Sequence, residues 1–141
     1  MSRIFFDSNL FIYLVEDELG TGIKVDQLLE RMQLRGDQLF TSSFTIGEVL
    51  VRPIEENNQV LVAKFQSLFR SSDVNIILFD EKAALEYAVI RQDRSIRAPD
   101  TIQLACASAA KCDFFVTNDE RLSRRIVSGI QAIVSLDRVP I

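Results

Sequence analysis

Short apolar segments alternate with longer amphipathic segments along almost the whole chain, and this alternation limits the folds that the sequence can adopt. Ile4, Phe5 and Phe6 form a continuous apolar run, which is typical of a strand buried on both faces. The segment 22–35 instead places its apolar residues at helical spacing. Strands separated by helices imply crossover connections and a parallel sheet. We therefore expect an α/β sandwich with a central, parallel sheet of about five strands flanked by helices.

The pattern also predicts where each element begins and ends. Strands are expected at 3–6, 38–41, 74–79, 114–117 and 132–135. Helices are expected at 8–15, 22–35, 44–51, 60–69, 81–94, 99–111 and 119–127. The third helix should stop near Pro53, because proline removes a helical hydrogen bond. The helix at 81–94 should turn Ala84, Leu85, Ala88 and Val89 toward the core.

Length and composition are those expected of one globular domain that covers residues 1–141. No apolar run approaches the length that spans a bilayer, and Asp7 comes too early for a secretory signal. The expected compartment is therefore the cytoplasm, with no membrane partner. The two cysteines, Cys106 and Cys112, support no disulfide framework and are expected to pack as small apolar residues.

The absence of histidine narrows the chemistry more than any residue that is present. It excludes Ser-His-Asp and Cys-His catalysis within this chain, and two cysteines alone cannot form a Cys/His zinc site. Any metal must therefore be held by oxygen ligands, which favours Mg²⁺ or Mn²⁺. The net charge of −4 argues against binding of nucleic acid, unless bound cations reverse the sign of a local acidic cleft.

Two acids follow predicted strands at equivalent points. Asp7 follows the run 4–6, and Asp119 follows the run 114–117 with Asn118 between. Ligands of open parallel sheets bind beyond the carboxyl ends of the strands, so neighbouring strands would bring Asp7 and Asp119 to one cleft. The structural alternative is that each acid only caps the helix that follows it.

Two further acids lie in predicted helices. Glu48 has apolar neighbours on nearly every side, where a charge is costly unless it is paired or binds a cation. Its structural alternatives are a salt bridge with Arg52 or an exposed position on an irregular helix. Asp100 follows Pro99 in the first turn of an Ala-rich helix, where it could simply interact with the helix dipole. If all four carboxylates converge, they repel one another, and a divalent cation would relieve the repulsion and could activate water against a phosphate.

The ordered set of these residues resembles the PIN domain family, and most of all the VapC-type toxins. The matching elements are Asp7-Ser8-Asn9 after the first strand, Glu48 in a helix, Pro99-Asp100 before the Ala-rich helix and Thr117-Asn118-Asp119 after a strand. The resemblance covers nearly the whole chain. It implies a PIN-like fold, dependence on Mg²⁺ or Mn²⁺ and endonucleolytic cleavage of RNA. It assigns catalytic and metal-binding roles to Asp7, Glu48, Asp100 and Asp119, and supporting roles to Asn9 and Thr117.

The resemblance further implies homodimers and, for toxins, a small antitoxin protein that covers the active site. The chain has 10 phenylalanines, more than we expect its small core to absorb. We therefore expect Phe11, Leu14 and Phe65 to contribute to a dimer or antitoxin surface, the alternative being that all three belong to the core.

Several alternatives remain open at this stage. PIN domains also process RNA outside toxin–antitoxin pairs, and the chain could instead be a non-catalytic PIN-like binding module. A phosphoryl-accepting receiver domain also places acids at strand ends, and Asp80 is such an acid, but Asp7 lacks an acidic neighbour and no lysine follows Lys111. The arginines at 91, 94 and 97 and at 121, 124 and 125 could contact phosphate or could form a solvated helix surface with local salt bridges.

Overall fold

The computed structural model describes residues 1–17 and 19–141 and contains a five-stranded sheet. All four strand pairings are parallel, which confirms the predicted α/β class with its five-stranded parallel sheet. The elements follow one another along the chain as β1 (Arg3–Phe6), α1 (Ser8–Glu16), α2 (Thr21–Arg35), β2 (Gln38–Ser42), α3 (Ser43–Glu55), α4 (Gln59–Arg70), β3 (Val74–Ile77), α5 (Glu81–Ile90), α6 (Ala98–Ala109), β4 (Phe114–Thr117), α7 (Glu120–Ser123) and β5 (Ala132–Ser135). None of the helices in the described ranges is long and apolar enough to cross a membrane.

The sheet separates two apolar cores because successive side chains of a strand point to opposite faces. Ile4 and Phe6 of β1 pack with α1, α2, α3 and α4 on one face. Phe5 lies on the other face, where it stacks on Phe115 with ring centroids 5.1 Å apart, and this core also contains α5 and α6. β1 is thus buried on both faces, as its uninterrupted apolar run predicts.

The order of the strands determines where a site can form. The spatial order is β3-β2-β1-β4-β5. The chain therefore adds β2 and β3 on one side of β1 and then β4 and β5 on the other side. The connections that leave β1 and β4 therefore diverge and leave a crevice at the carboxyl ends of these two strands. Phe6 pairs with Val116 at this end, so Asp7 and Thr117 are the next residues on each side of the crevice.

Three of the predicted helix boundaries are wrong. α3 continues past Pro53 to Glu55, because proline still accepts a hydrogen bond and the N–H of Asn58 donates to the Pro53 carbonyl at 2.8 Å. α5 ends at Ile90, four residues early, and residues 91–97 form turns before α6. α7 is a single turn, because the chain after it buries Val127 and Ile130 separately and bends at Gly129, which has a φ of +92°.

The predicted inward face of α5 is also wrong. Ala83 and Ile90 are the buried residues of this helix, and they lie two turns apart on the side that packs against the core with α6. Leu85 and Val89 instead remain 65% and 63% exposed. The sequence pattern is ambiguous here because α5 is apolar around most of its circumference, and packing on α6 decides which side is buried.

The aromatic residues expected at a surface lie in the core instead. Phe11 and Phe65 are 1% and 0% exposed, and Leu14 is only partly buried. Phe11 packs edge-on against Phe69 at a centroid distance of 5.1 Å, and Phe65 stacks on Phe69. The two apolar layers on either side of the sheet therefore absorb more phenylalanine than the composition alone suggests.

Truncation of Phe65 tests this assignment to the core. Phe65→Ala should lower the free energy of unfolding by about 3–5 kcal/mol, because it leaves a cavity between α4 and the sheet. Leu34→Ala is the matched control, since Leu34 is 90% exposed on α2 and its truncation should cost less than about 0.5 kcal/mol. Both values come from urea unfolding followed by circular dichroism. Equal small losses in the two variants would show that Phe65 is not a core residue.

Candidate active site

The crevice between β1 and β4 contains Asp7 as its most buried acid. Asp7 is 9% exposed, and its backbone N–H extends the sheet by donating to the carbonyl of Val116 at 3.0 Å. One carboxylate oxygen, Oδ1, accepts a hydrogen bond from the N–H of Ser8 at 2.8 Å. The other, Oδ2, accepts one from the hydroxyl of Thr117 at 2.8 Å. Asp7 is therefore both the N-cap of α1 and a carboxylate held across the two central strands.

Thr117 links Asp7 to the turn that carries Asp119. Its fully buried side chain donates to Asp7 through Oγ1, and the same oxygen accepts the backbone N–H of Asp119 at 3.1 Å. Asp119 in turn caps α7 by accepting the N–H of Arg121 at 3.0 Å. The capping role expected as the structural alternative is thus present at both strand ends, and it fixes the two acids on the same crevice.

Glu48 reaches the crevice from α3. Its side chain is exposed, but Oε1 accepts hydrogen bonds from the hydroxyl of Ser8 at 2.6 Å and from the amide of Gln103 at 3.2 Å. The alternative salt bridge to Arg52 does not form, because Arg52 pairs with Glu56 one helical turn later at 2.8 Å. Glu48 is therefore hydrogen-bonded to Ser8, the residue that directly follows Asp7.

Gln103 organises the floor beneath these acids and was not among the residues predicted from the sequence. It is 1% exposed on α6, and its Nε2 donates to the hydroxyls of Ser8 at 3.0 Å and Thr45 at 2.6 Å. Its Oε1 accepts from the hydroxyl of Ser42. The network ties α1, α3 and α6 together below Glu48. A glutamine between Ile102 and Leu104 in an otherwise small and apolar helix was the available signal.

Asp100 and Asp119 meet through a shared arginine. Nε of Arg97 lies 3.2 Å from Oδ2 of Asp100, and its Nη2 lies 3.9 Å from Oδ2 of Asp119. The side chains of the two acids are 18% and 24% exposed, while that of Arg97 is 63% exposed. Arg121 approaches the other oxygen of Asp119 at 3.6 Å. Asp100 in the first turn of α6 therefore lies beside the crevice rather than serving the helix dipole alone.

The sixth predicted residue, Asn9, lies apart from this arrangement. It is exposed in the first turn of α1, and within residues 1–17 and 19–141 its side chain makes no hydrogen bond. The structure thus brings Asp7, Glu48, Asp100, Asp119 and Thr117 to one edge of the sheet and leaves Asn9 facing solvent. Its neighbour Ser8 makes the contacts to Glu48 and Gln103 instead.

The acids influence one another electrostatically. The pKa of the Asp7 carboxyl is raised from 3.8 to about 6, mainly by burial and to a smaller extent by the negative charges of Asp100 and Glu48. The hydrogen bonds from Thr117 and from the N–H of Ser8 oppose this rise because they stabilise the carboxylate. Since Asp7 responds to both Asp100 and Glu48, the three carboxylates share one electrostatic environment, in which a positive charge would be stabilised.

A cleft of about 390 Å³ opens beside Asp100 and Asp119. Its remaining charged lining is basic and consists of Arg97, Arg121, Arg124 and Arg125. An acidic edge with a cluster of arginines next to it could hold a phosphate diester against the carboxylates despite the net charge of −4.

The donor set fits a hard divalent cation, since it contains only carboxylate and hydroxyl oxygens. The pKa of Asp7 is raised mainly by burial, and the smaller contributions of Asp100 and Glu48 are negative charges that a cation would offset. The carboxylates are not drawn together as a coordination shell, however. Across the described part of the chain, no group of three or more acidic, cysteine or histidine side chains is arranged to hold a metal ion. The positive charge beside Asp100 comes from Arg97, and that beside Asp119 comes from Arg121 at 3.6 Å and Arg97 at 3.9 Å.

The raised pKa of Asp7 predicts a pH-dependent stability. A carboxyl whose pKa is higher in the folded than in the unfolded protein stabilises the fold fully below the unfolded value of 3.8, and this contribution is lost as the pH rises through about 6. The difference corresponds to at most about 3 kcal/mol. In chelator, Asp7→Asn should therefore be more stable than the wild type at pH 7, and the advantage should shrink toward pH 4. Urea unfolding across this range measures it, and a difference that does not change with pH would contradict the assignment.

Comparison with known proteins identifies the family and the fold. The PIN domain profile matches residues 4–126. The fold resembles VapBC2 from Rickettsia felis, solved with a DNA fragment from its promoter, with a TM-score of 0.76 and 17% identity over 94% of this chain and 98% of that one. VapBC-1 from nontypeable Haemophilus influenzae gives a TM-score of 0.73 at 18% identity, with coverage of 96% and 99%.

A third similar structure is Mycobacterium tuberculosis VapC20, described as a sarcin-ricin loop cleaving toxin. It gives a TM-score of 0.63 at 14% identity, over 87% of this chain and 96% of that one. Curated protein sequences give no match. The structural likenesses show the fold, and the profile match, which extends from β1 past α7, confirms the resemblance inferred from the acidic residues. The chain therefore belongs to the PIN domain family.

Proposed function

We propose that this chain is a metal-dependent endoribonuclease, a hydrolase of RNA phosphodiester bonds that acts as a single nuclease domain and as the toxin of a toxin–antitoxin pair. The observation that supports the nuclease activity best is the meeting of Asp7, Glu48, Asp100 and Asp119 beside an arginine-lined cleft, in a chain that has no histidine. The family supports the same class of chemistry. A site of this kind can act on phosphodiesters without a protein nucleophile.

The four carboxylates would hold Mg²⁺ or Mn²⁺. When bound, such a cation lowers the pKa of a water molecule and offsets the charge of the phosphate. Thr117 fixes the orientation of the Asp7 carboxylate through its hydroxyl, and Ser8 and Gln103 hold Glu48 against the same edge. The arginines of the cleft would bind the phosphates that flank the cleaved bond. Each residue therefore positions either the carboxylates or the RNA backbone.

The toxin assignment is supported by the comparisons. The similar structures include VapBC toxin–antitoxin complexes, and one of the toxins is described as cleaving the sarcin-ricin loop. An open apolar groove of about 500 Å³ lies next to Glu48, lined in part by Phe44, Val51, Phe79 and Ile102. A small antitoxin protein that covers this groove would lie directly beside Glu48. We expect the protein to act in the cytoplasm, where its RNA substrates are.

Charge removal at the acids tests the nuclease. Asp7→Asn and Asp100→Asn should each lower cleavage of a structured RNA at least about 10²-fold, because the amide keeps the shape of the side chain but removes the charge that holds the cation and positions the attacking water. Cleavage is measured with Mg²⁺ or Mn²⁺ by gel electrophoresis of labelled RNA. Chelator should abolish the activity of the wild type.

Asp73→Asn is the matched control for these variants. Asp73 is exposed in the turn before β3, at the opposite edge of the sheet from the crevice, so this variant should cleave at the wild-type rate. If Asp7→Asn or Asp100→Asn cleaves RNA at the wild-type rate, the substituted residue is not part of the active site. Undiminished cleavage in chelator would contradict the metal mechanism as a whole.

We also propose that the protein forms a homodimer and that the exposed apolar face of α5 contributes to it. Leu85 and Val89 lie one turn apart on this face and are largely exposed. Leu85→Glu and Val89→Glu should convert a dimer into monomers without loss of helical circular dichroism, as measured by sedimentation velocity. Ile126→Glu, at a residue that is 99% exposed outside α5, should leave the dimer intact. A monomeric wild type, or dimers that survive both α5 substitutions, would contradict this interface.

A further inference from the structure

Arg97 occupies an unusual place among the arginines of the cleft. It directly precedes α6 and makes no side-chain cap for that helix. Its guanidinium instead spans two separate parts of the chain, with Nε at 3.2 Å from Asp100 in α6 and Nη2 at 3.9 Å from Asp119 after β4. One cation is therefore shared by two acids that the fold brings together from different elements.

The exposures of the three side chains indicate what the contact does. The carboxylates of Asp100 and Asp119 are 18% and 24% exposed, so they have lost much of the water that would screen their repulsion. The guanidinium of Arg97 is 63% exposed and can move into the open cleft with little loss of packing. The acids thus depend on a positive charge more than Arg97 depends on the acids.

Arg97 also contacts carboxylate groups that would hold a metal ion. Both of its contacts are to Oδ2 atoms, one on each carboxylate. Arg121 by contrast approaches Oδ1 of Asp119, which leaves the Oδ2 atoms to Arg97. A divalent cation bound between Asp100 and Asp119 would meet a full positive charge a few ångströms away, so the two cations compete for the same place.

We propose that Arg97 is a positioning residue that acts as the resident counter-ion of the acidic site, and that a divalent cation binds by displacing it from Asp100 and Asp119 into the cleft. This inference deepens the proposed nuclease function and depends on it for the identity of the displacing cation. It accounts for the guanidinium that Asp100 and Asp119 share, in a structure whose described ranges contain no group of three or more acidic, cysteine or histidine side chains arranged to hold a metal ion.

The test compares Arg97→Gln with Arg94→Gln. Arg94 is exposed in the turn before α6, and in the described ranges it forms no ion pair with Asp100 or Asp119. Its replacement therefore removes the same net charge without removing a contact to these acids. Mn²⁺ is titrated into each protein by isothermal titration calorimetry, and the melting temperature of each protein is measured in chelator. The metal titration separates a counter-ion from a structural support, because loss of a support would weaken metal binding whereas loss of a competitor strengthens it.

Arg97→Gln should bind Mn²⁺ on the order of tenfold more tightly than the wild type, and Arg94→Gln should stay within about twofold of it. In chelator, Arg97→Gln should melt about 2–4 °C below Arg94→Gln, because Asp100 and Asp119 then repel each other without a counter-charge. Arg97→Lys keeps the charge but not the planar fork that reaches two carboxylates, and its Mn²⁺ affinity should fall between those of the wild type and Arg97→Gln.

Equal or weaker Mn²⁺ binding by Arg97→Gln relative to Arg94→Gln would overturn the inference, as would identical melting of the two variants in chelator. Failure of the proposed function would look different. In that case Arg97→Gln would still bind Mn²⁺ more tightly than Arg94→Gln, but the wild type would not cleave RNA with Mn²⁺ present. If the wild type cleaves RNA but Arg97→Gln does not bind Mn²⁺ more tightly, the proposed nuclease activity is supported and the proposed role of Arg97 is contradicted.

Discussion

The parallel pairing of β1 with β4 is the constraint on which the whole site depends. It places Asp7 directly opposite Thr117, and the hydroxyl of Thr117 then fixes both the Asp7 carboxylate and the turn that carries Asp119. Because the chain continues on opposite sides of β1, the connections that follow β1 and β4 diverge at this end of the two strands. The remaining acids come from helices that the two apolar cores hold against the sheet.

This arrangement carries an electrostatic cost that the fold offsets only in part. Buried hydrogen bonds from Thr117 and Ser8 stabilise the Asp7 carboxylate, yet burial still raises its pKa to about 6. Arg97 and Arg121 neutralise Asp100 and Asp119 from the side of the solvent. Carboxylates kept close against their own repulsion are costly to a fold, and such sites are more often functional than structural. The same repulsion is what would give the site its affinity for a divalent cation.

Much of this architecture could be predicted from the sequence, because the apolar runs of β1 and β4 are short, uninterrupted and followed at once by acids. The burial of both faces of β1 and the parallel sheet follow from that pattern. The inward face of α5 could not be predicted, since its exposed residues Leu85 and Val89 are as apolar as its buried residues, Ala83 and Ile90. The surface position expected for Phe11 and Phe65 is wrong, because a count of phenylalanines does not show how much aromatic volume the two cores can hold.

At the site, the acids could be identified from their order in the sequence, but the residues that form hydrogen bonds and ion pairs with them could not. Gln103 and Arg97 are polar residues whose roles depend on contacts between elements distant in the sequence, and spacing along one helix does not report such contacts. The supporting role predicted for Asn9 came from the Asp7-Ser8-Asn9 segment of the family resemblance, but the helical turn directs Ser8 rather than Asn9 to Glu48.

The most direct test of a divalent-cation site at the β1–β4 crevice is a crystal structure of the protein grown with Mn²⁺, with the anomalous signal of manganese located. The account predicts a manganese peak at the carboxyl ends of β1 and β4, with oxygen atoms of Asp7 and of at least one of Asp100 and Asp119 at about 2.1 Å from it. Manganese bound elsewhere, or a crevice without an anomalous peak at millimolar Mn²⁺, would contradict it.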